Sequence, residues 1–309
     1  MWGFSYSDLS VCSTISVILP CMILSVAFCW LVKTRRVGDV RISSCPNPDC
    51  ARCKIMREFE RTRCAMKTKL SDLLRDQPEM GSSLTRIQPM LHQSNNNNVW
   101  CLDGLNPPPW VCQGVKDPDL LELHQKLSSL FLSSKFPKLL LLDYHQAEQN
   151  VDKWKVNNVP TGKWKVYHLM DQGVWQGDRT SCCPNIMQLL GKIASQLMVN
   201  NVYGNILLSV LEPGSSIEPH SGPCNYRLRC HIPILPSTGF YIRVGTVVHS
   251  WEEGKLLLFS DHHEHEVWHN QHAGKEPTSR VVLIVDIWHP SITSEEKLIL
   301  NQLFQVTAM

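Results

Sequence analysis

"YRLRCHIPIL" (Tyr226–Leu235) alternates in character, and that alternation decides the fold. Residues two apart in a strand point the same way. Arg229 and His231 therefore share one face, while Leu228, Cys230, Ile232 and Ile234 share the other. The same period of two runs outward in both directions. "NILLSVL" (205–211) precedes it; "FYIRVG" (240–245), "TVVHSW" (246–251), "GKLLLFS" (254–260), "HEVWH" (265–269) and "RVVLIVDIW" (280–288) follow. Turn-forming Gly, Pro and Asn separate these segments, so they read as short strands of a sandwich or jelly roll.

Helical periodicity appears upstream and at the end. Leu120, Leu123, Leu127 and Leu130 repeat at helical spacing behind an acidic first turn, and Pro184 opens "PNIMQLLGKIASQLMV" with Ile186, Leu189, Leu190, Ile193 and Leu197 on one face. Thr293 and Glu296 form a capping box before "KLILNQLF". The expected fold is mainly β with flanking helices: an antiparallel jelly-roll barrel over residues 111–309.

One face of the barrel carries chemistry. In "RVVLIVDIW", Arg280 lies on the face of Val282, Ile284 and Asp286. An inward-facing arginine is costly to bury unless a carboxylate from protein or ligand pairs with it. Arg229, His231 and Arg280 near histidines fit a small dicarboxylate held beside a metal. His220, in "IEPHSG", is one metal candidate. His262, His263, His265, His269 and His272 crowd the other region, where spacing alone does not choose; His263 and His265 share strand parity. An iron site of two histidines and a carboxylate would want that carboxylate where Gly222 stands. Glu218, two residues before His220, is a poor substitute because Pro219 distorts the strand.

The rest of the chain bounds what the barrel does. A net charge of +2 over 309 residues supplies no strong basic field, so nucleic acid is not an expected partner. After a short tail (1–10), residues 11–32 contain no charge and are long enough to cross a bilayer as a helix. Residues 33–110 read as a Cys-bearing stalk and linker, with "HQSNNNNVW" and "GLNPPPW" breaking regular structure. Cys45, Cys50, Cys53 and Cys64 contain one C-x2-C pair without a second, leaving zinc, disulfides and free thiols open. Lys33, Arg35 and Arg36 favour a cytosolic flank by charge.

"LEPGSSIEPHSGPCNYRLRCHIPI", "WEEGKLLLFSDHHEHEVWHN" and "RVVLIVDIWHP", with the fainter "GKWKVYHLMDQG", resemble the catalytic domain of the aspartyl/asparaginyl β-hydroxylase family over residues 160 to 290. "CPNPDCARC" and the short stalk resemble the aspartate β-hydroxylase domain-containing members. The resemblance implies a double-stranded β-helix oxygenase using iron(II), 2-oxoglutarate and O2 to hydroxylate a peptidyl Asp or Asn side chain. It implies His220 and His265 as metal ligands and Arg229 with His231 at the cosubstrate end nearest the metal. Arg280 and Ser209 would hold the far carboxylate, and Trp164 would line the pocket. The family has Gly at the position of Gly222, so the absent carboxylate is shared. About five extra residues in "HNQHAGKEPTS" are expected to lengthen a hairpin loop at Gly274. By resemblance the anchor is type II with the domain in the endoplasmic reticulum lumen, opposite to the charge rule. The competing expectation is a membrane-tethered binding module that keeps the fold without turnover.

Overall fold

The computed structural model describes residues 50–78, 81, 84–92, 98–112, 115–131, 136–235, 238–270 and 278–306. The apolar run 11–32, Cys45, His272 and the lengthened loop around Gly274 lie outside them. Among the described residues, no helix is long and apolar enough to cross a membrane.

The helices are α1 (Ala51–Arg57), α2 (Phe59–Asp76), α3 (Ile87–His92), α4 (Pro118–Phe131), α5 (Phe136–Glu148), α6 (Gly177–Thr180), α7 (Pro184–Gly191) and α8 (Ser294–Leu303). The strands are β1 (Trp110–Val111), β2 (Lys155–Asn157), β3 (Trp164–Asp171), β4 (Val174–Trp175), β5 (Ile206–Leu211) and β6 (Ser216–His220). They continue as β7 (Arg227–Leu235), β8 (Phe240–Val244), β9 (Val247–Ser250), β10 (Leu257–Phe259), β11 (His265–His269) and β12 (Arg280–Trp288).

Two antiparallel sheets face each other. The larger runs β1-β10-β7-β12-β5-β3-β2 with β4 on β3, and the smaller runs β6-β11-β8-β9. From β5 to β12 the chain crosses between sheets at nearly every step, with only β8 and β9 consecutive in one sheet. That path is the double-stranded β-helix, and it leaves the ends of β6 and β11 side by side at one mouth.

The period-two pattern sorts side chains as expected. Leu228, Cys230, Ile232 and Ile234 pack outward under α4, α5 and α7. Val282 and Ile284 point inward, into a core shared with Phe240, Ile242, Trp251 and Phe259. The α4 helix starts where Asp117 Oδ1 accepts from the amides of Asp119 and Leu120 at 3.0 and 3.3 Å. The Thr293–Glu296 capping box at α8 is formed in both directions. The second expected helix stops at Gly191 and continues only as a 3-10 turn at Ala194–Gln196.

The expectation of a stalk up to residue 110 is corrected. The described residues from 50 onward belong to one compact unit. In α2, Phe59, Met66 and Leu70 line one face and are buried with Trp100, Tyr203, Tyr226, Trp288 and Phe304. The rings of Phe59 and Trp100 are 4.3 Å apart, and Trp100 meets Phe304 at 5.1 Å. Charged residues dominate α2, which hid this narrow apolar stripe. The polar linker is also docked: Asn225 Oδ1 accepts from the Leu102 amide at 2.9 Å, and its Nδ2 donates to the Leu105 carbonyl at 2.7 Å. Those bonds satisfy backbone that turn chemistry alone would leave to solvent. Cys50 and Cys53 are buried in this unit and Cys64 is exposed.

Candidate active site

The neighbouring ends of β6 and β11 bring two histidines together. His265 is the register partner of His220, and their rings are 4.1 Å apart. His220 Nδ1–H donates to the Glu218 carbonyl at 2.8 Å, and His265 Nδ1–H donates to the His263 carbonyl at 3.0 Å. With Nδ1 protonated, each neutral ring keeps its lone pair on Nε2, the arrangement a metal-binding histidine needs. Burial lowers the pKa of both; Arg229 adds to this at His220, and the neighbouring His220 ring adds to it at His265. His263 is excluded from the pair, since its Nε2 meets the Pro107 carbonyl at 2.9 Å.

Asp261 completes this mouth from a direction the sequence did not suggest. A Cβ built on Gly222 would lie 2.6 Å from Asp261 Oδ1 and 2.7 Å from its Cγ. The Gly222 amide also donates to the Asp261 carbonyl at 2.6 Å. Position 222 has no room for a side chain because another carboxylate already occupies its flank. Asp261 is fixed by Arg227, whose Nε donates to Oδ1 at 3.2 Å, and by Arg229 Nη1 at 3.2 Å from Oδ2. Burial alone would raise the Asp261 carboxyl, but Arg227 and Arg229 together outweigh it and hold the pKa well below the ordinary carboxylate range.

Arg229 differs from expectation. It faces the barrel mouth as the alternation requires, but its partners come from the protein. Its Nε and Nη2 donate to the two oxygens of Asp286 at 2.8 and 3.0 Å. The deep cation left over is Arg280.

Arg280 is buried, with 2% of its surface exposed, and among the described residues no carboxylate pairs with it. Its Nη2 donates to Ser209 Oγ at 2.7 Å, Trp164 Nε1 donates to the same oxygen at 2.9 Å, and its Nε has no partner. The guanidinium lies 4.7 Å from the centre of the Trp251 ring. Burial pulls its pKa down to about 9. Trp251 Nε1 in turn donates to His231 Nδ1 at 3.3 Å. That bond places the proton of neutral His231 on Nε2, a donor that is buried and unpartnered. Burial, then Arg280 and Arg229, keeps this ring neutral. The chamber therefore offers the guanidinium of Arg280, the Nε2–H of His231 and the Ser209 hydroxyl: donors without an acceptor.

All seven expected residues are thus found at two adjoining subsites, His220 and His265 at the mouth and Trp164, Ser209, His231 and Arg280 below, with Arg229 between. Asp261, Arg227 and Trp251 were missed. Parity on "YRLRCH" already places Arg227 beside Arg229, but nothing local marks Asp261 or Trp251, whose partners are distant in sequence.

The comparisons with known proteins agree with this geometry. Residues 140–290 match the family model "Aspartyl/Asparaginyl beta-hydroxylase". Mouse "Aspartate beta-hydroxylase domain-containing protein 2" is 30% identical over 84% of this chain and 75% of its own length. The chain belongs to the aspartyl/asparaginyl beta-hydroxylase family. The human protein of the same description is 39% identical over 49% of this chain, and this match spans 40% of the relative. Human "Aspartyl/asparaginyl beta-hydroxylase" is 35% identical over 44% of this chain but only 17% of its own length. The family model stops short of α1 and α2, while the match to the mouse relative extends well beyond it.

Among the described residues no three metal-ligating side chains form a cluster. The two Nε2 lone pairs of His220 and His265 nonetheless fit a divalent metal that takes its other ligands from small molecules. The unpaired Arg280 and the orphaned Nε2–H of His231 fit a dicarboxylate.

Proposed function

We propose that this chain is an iron(II)/2-oxoglutarate-dependent dioxygenase, membrane-anchored through residues 11–32, that hydroxylates a peptidyl side chain, the β-carbon of Asp or Asn by kinship. The observation that carries this reading is the buried Arg280, a cation that no carboxylate pairs among the described residues. Burying it is costly in the absence of an anion, and among the described residues only the Ser209 oxygen accepts from it. A non-catalytic scaffold gains nothing from that arrangement.

Iron and 2-oxoglutarate, when bound, supply the oxidising chemistry: substrate C–H, O2 and 2-oxoglutarate become C–OH, succinate and CO2. The residues of this chain do the positioning. Arg280 and Ser209 would hold the distal carboxylate, with Trp164 donating to the Ser209 oxygen and leaving its hydroxyl hydrogen free for the ligand. His231, its tautomer set by Trp251, would donate from Nε2 to the same ligand. His220 and His265 offer Nε2 while backbone carbonyls lock their rings. Asp261, kept ionised by Arg227 and Arg229, would place a negative charge beside a metal held by two neutral histidines. Arg229, held by Asp286 and Asp261, keeps this edge rigid.

The test uses the full chain in detergent, with titration of Mn(II) as a redox-silent stand-in and of 2-oxoglutarate by calorimetry. Both are expected to bind, and Arg280→Met is expected to abolish 2-oxoglutarate binding while leaving Mn(II) binding intact. A wild-type chain that binds neither ends the enzyme reading. The lumenal, type II placement is tested separately, by protease protection of the C-terminal domain in sealed microsomes.

A further inference from the structure

The cleft above His220 has a wall from outside the residues that the family model matches. It encloses about 480 Å³, and Cys50, Arg52 and Met56 of the α1 segment line it together with His220, Trp164 and His168. This wall is fastened to the barrel. The Arg52 amide donates to Gln172 Oε1 at 3.1 Å, and the Gln172 amide donates to Asn205 Oδ1 at 3.2 Å. The Asn205 amide donates to Asp286 Oδ2 at 3.0 Å, and Asp286 holds Arg229. Gln172 adopts a left-handed backbone, φ 52°, a costly conformation for a residue that is not glycine. A continuous hydrogen-bonded path thus ties α1 to the arginine cluster at the mouth.

Among the described residues, the charges of the cleft do not cancel. Arg227 and Arg229 face Asp261 and Asp286. Lys155 is matched by Asp171 at 3.0 Å. His168 is neutral, with burial pushing its pKa down to about 4. Arg52 remains: half-buried on the cleft wall, with no carboxylate partner among the described residues. Its charge reaches His220, His168 and Asp171, lowering the proton affinity of each. An unmatched guanidinium on the wall of a cleft attracts an anionic group of whatever enters.

We propose that Arg52 reads the substrate, its guanidinium taking a carboxylate on a residue that flanks the reacting side chain of an acidic peptide. This rests on the dioxygenase reading for the identity of the cleft, and adds a substrate preference for acidic flanks set by a segment outside the residues that the family model matches.

The experiment measures binding. Two fluorescein-labelled Gly/Ser-based peptides with a central Asn, one flanked by two Glu and one by two Gln, are titrated with the full chain in detergent. Binding is read by anisotropy for the wild type, Arg52→Ala, Arg52→Lys and Arg52→Glu. The Glu-flanked peptide is expected to bind about tenfold more tightly to the wild type, as a charge-assisted hydrogen bond supplies. Arg52→Ala removes that difference, Arg52→Lys keeps most of it, and Arg52→Glu reverses it. Binding of 2-oxoglutarate, measured in parallel, stays unchanged in all four proteins. Equal affinities in the wild type, no binding of either peptide, or discrimination that survives Arg52→Ala overturns the assignment. Failure of the wild type to bind 2-oxoglutarate instead overturns the dioxygenase reading, whatever the peptides do.

Discussion

Replacing Arg280 with methionine should make the ligand-free protein more stable and, in the same step, blind to 2-oxoglutarate. Burial lowers the Arg280 pKa from its ordinary value to about 9. That difference corresponds to a penalty of about 5 kcal/mol for holding the charge inside. The sign follows from the direction. A base whose folded pKa is depressed destabilises the fold at every pH below that folded value. The penalty fades only as pH rises from about 9 toward the unfolded pKa. At pH 7.5 it is fully present. The contact with Trp251 and the Ser209 hydrogen bond offset part of it, leaving roughly 2–3 kcal/mol uncompensated.

Methionine fills much the same space without the charge. For a domain of this size the gain corresponds to a rise in Tm of roughly 4–12 °C. The assay is thermal unfolding at pH 7.5 with and without 2-oxoglutarate, on the full chain in detergent. Without ligand, Arg280→Met is expected to melt above the wild type. With saturating ligand the wild type gains stability by mass action and the variant does not. A variant that melts lower than the wild type without ligand, or that is stabilised equally by 2-oxoglutarate, refutes the reasoning.

Other perturbations test the mouth. Gly222→Ala forces a Cβ against the Asp261 carboxylate and should cost about 1–3 kcal/mol in chemical denaturation, so Gly222→Asp will not restore a third metal ligand; calorimetry with Mn(II) should show weaker binding. Asp261→Asn leaves Arg227 and Arg229 sharing Asp286 and should cost about 3–5 kcal/mol. Because the pKa of Asp261 is depressed in the fold, its stabilisation is full above the unfolded carboxylate pKa. It is lost as pH falls toward the lower folded value, so wild type and Asp261→Asn should converge in acid melts. His220→Ala and His265→Ala should each weaken Mn(II) binding by at least about tenfold, whereas His263→Ala, whose ring serves the Pro107 carbonyl, should not.

Most of the barrel was legible because strand periodicity is a local property. Parity alone put Arg229 and His231 opposite Leu228 and Cys230, and Arg280 with Asp286, and the structure keeps each side. Family motifs chose His265 over His263, which parity left tied; in the fold the His265 ring lies 4.1 Å from that of His220, while His263 turns to the Pro107 carbonyl. What parity could not supply was pairing across the chain. Two residues on one face are equally consistent with a ligand-binding arginine and with one saturated by the protein. Arg229 proved to be the second kind because Asp286 is its register partner across β7 and β12. Residues 50–92 were illegible for a different reason: three buried positions spread over the 18 residues of α2 leave too weak a pattern among lysines and arginines.

The glycine at 222 joins these strands of reasoning. Its lack of a side chain looked like a missing ligand because the expected iron site draws its carboxylate from the residue two places after the first histidine. The fold brings Asp261 to that flank from the strand pair's other partner, four residues before His265, with its carboxylate where a Cβ on residue 222 would go. A carboxylate bound directly to the metal and one held by two arginines are different instruments. The first neutralises the ion and fixes it tightly; the second has its charge already shared with Arg227 and Arg229. The mouth should therefore bind metal more weakly and depend more on the bound dicarboxylate to complete the ligand set. Wild-type affinity for Mn(II) is then expected to rise when 2-oxoglutarate is present, and, by reciprocity, 2-oxoglutarate should bind more tightly with Mn(II). Arg280→Met, which removes the dicarboxylate's anchor but leaves His220, His265 and Asp261 in place, should abolish that coupling without changing the affinity for metal alone. Calorimetric titration of Mn(II) with and without 2-oxoglutarate measures it, and equal affinities in the wild type would show that the two subsites act independently.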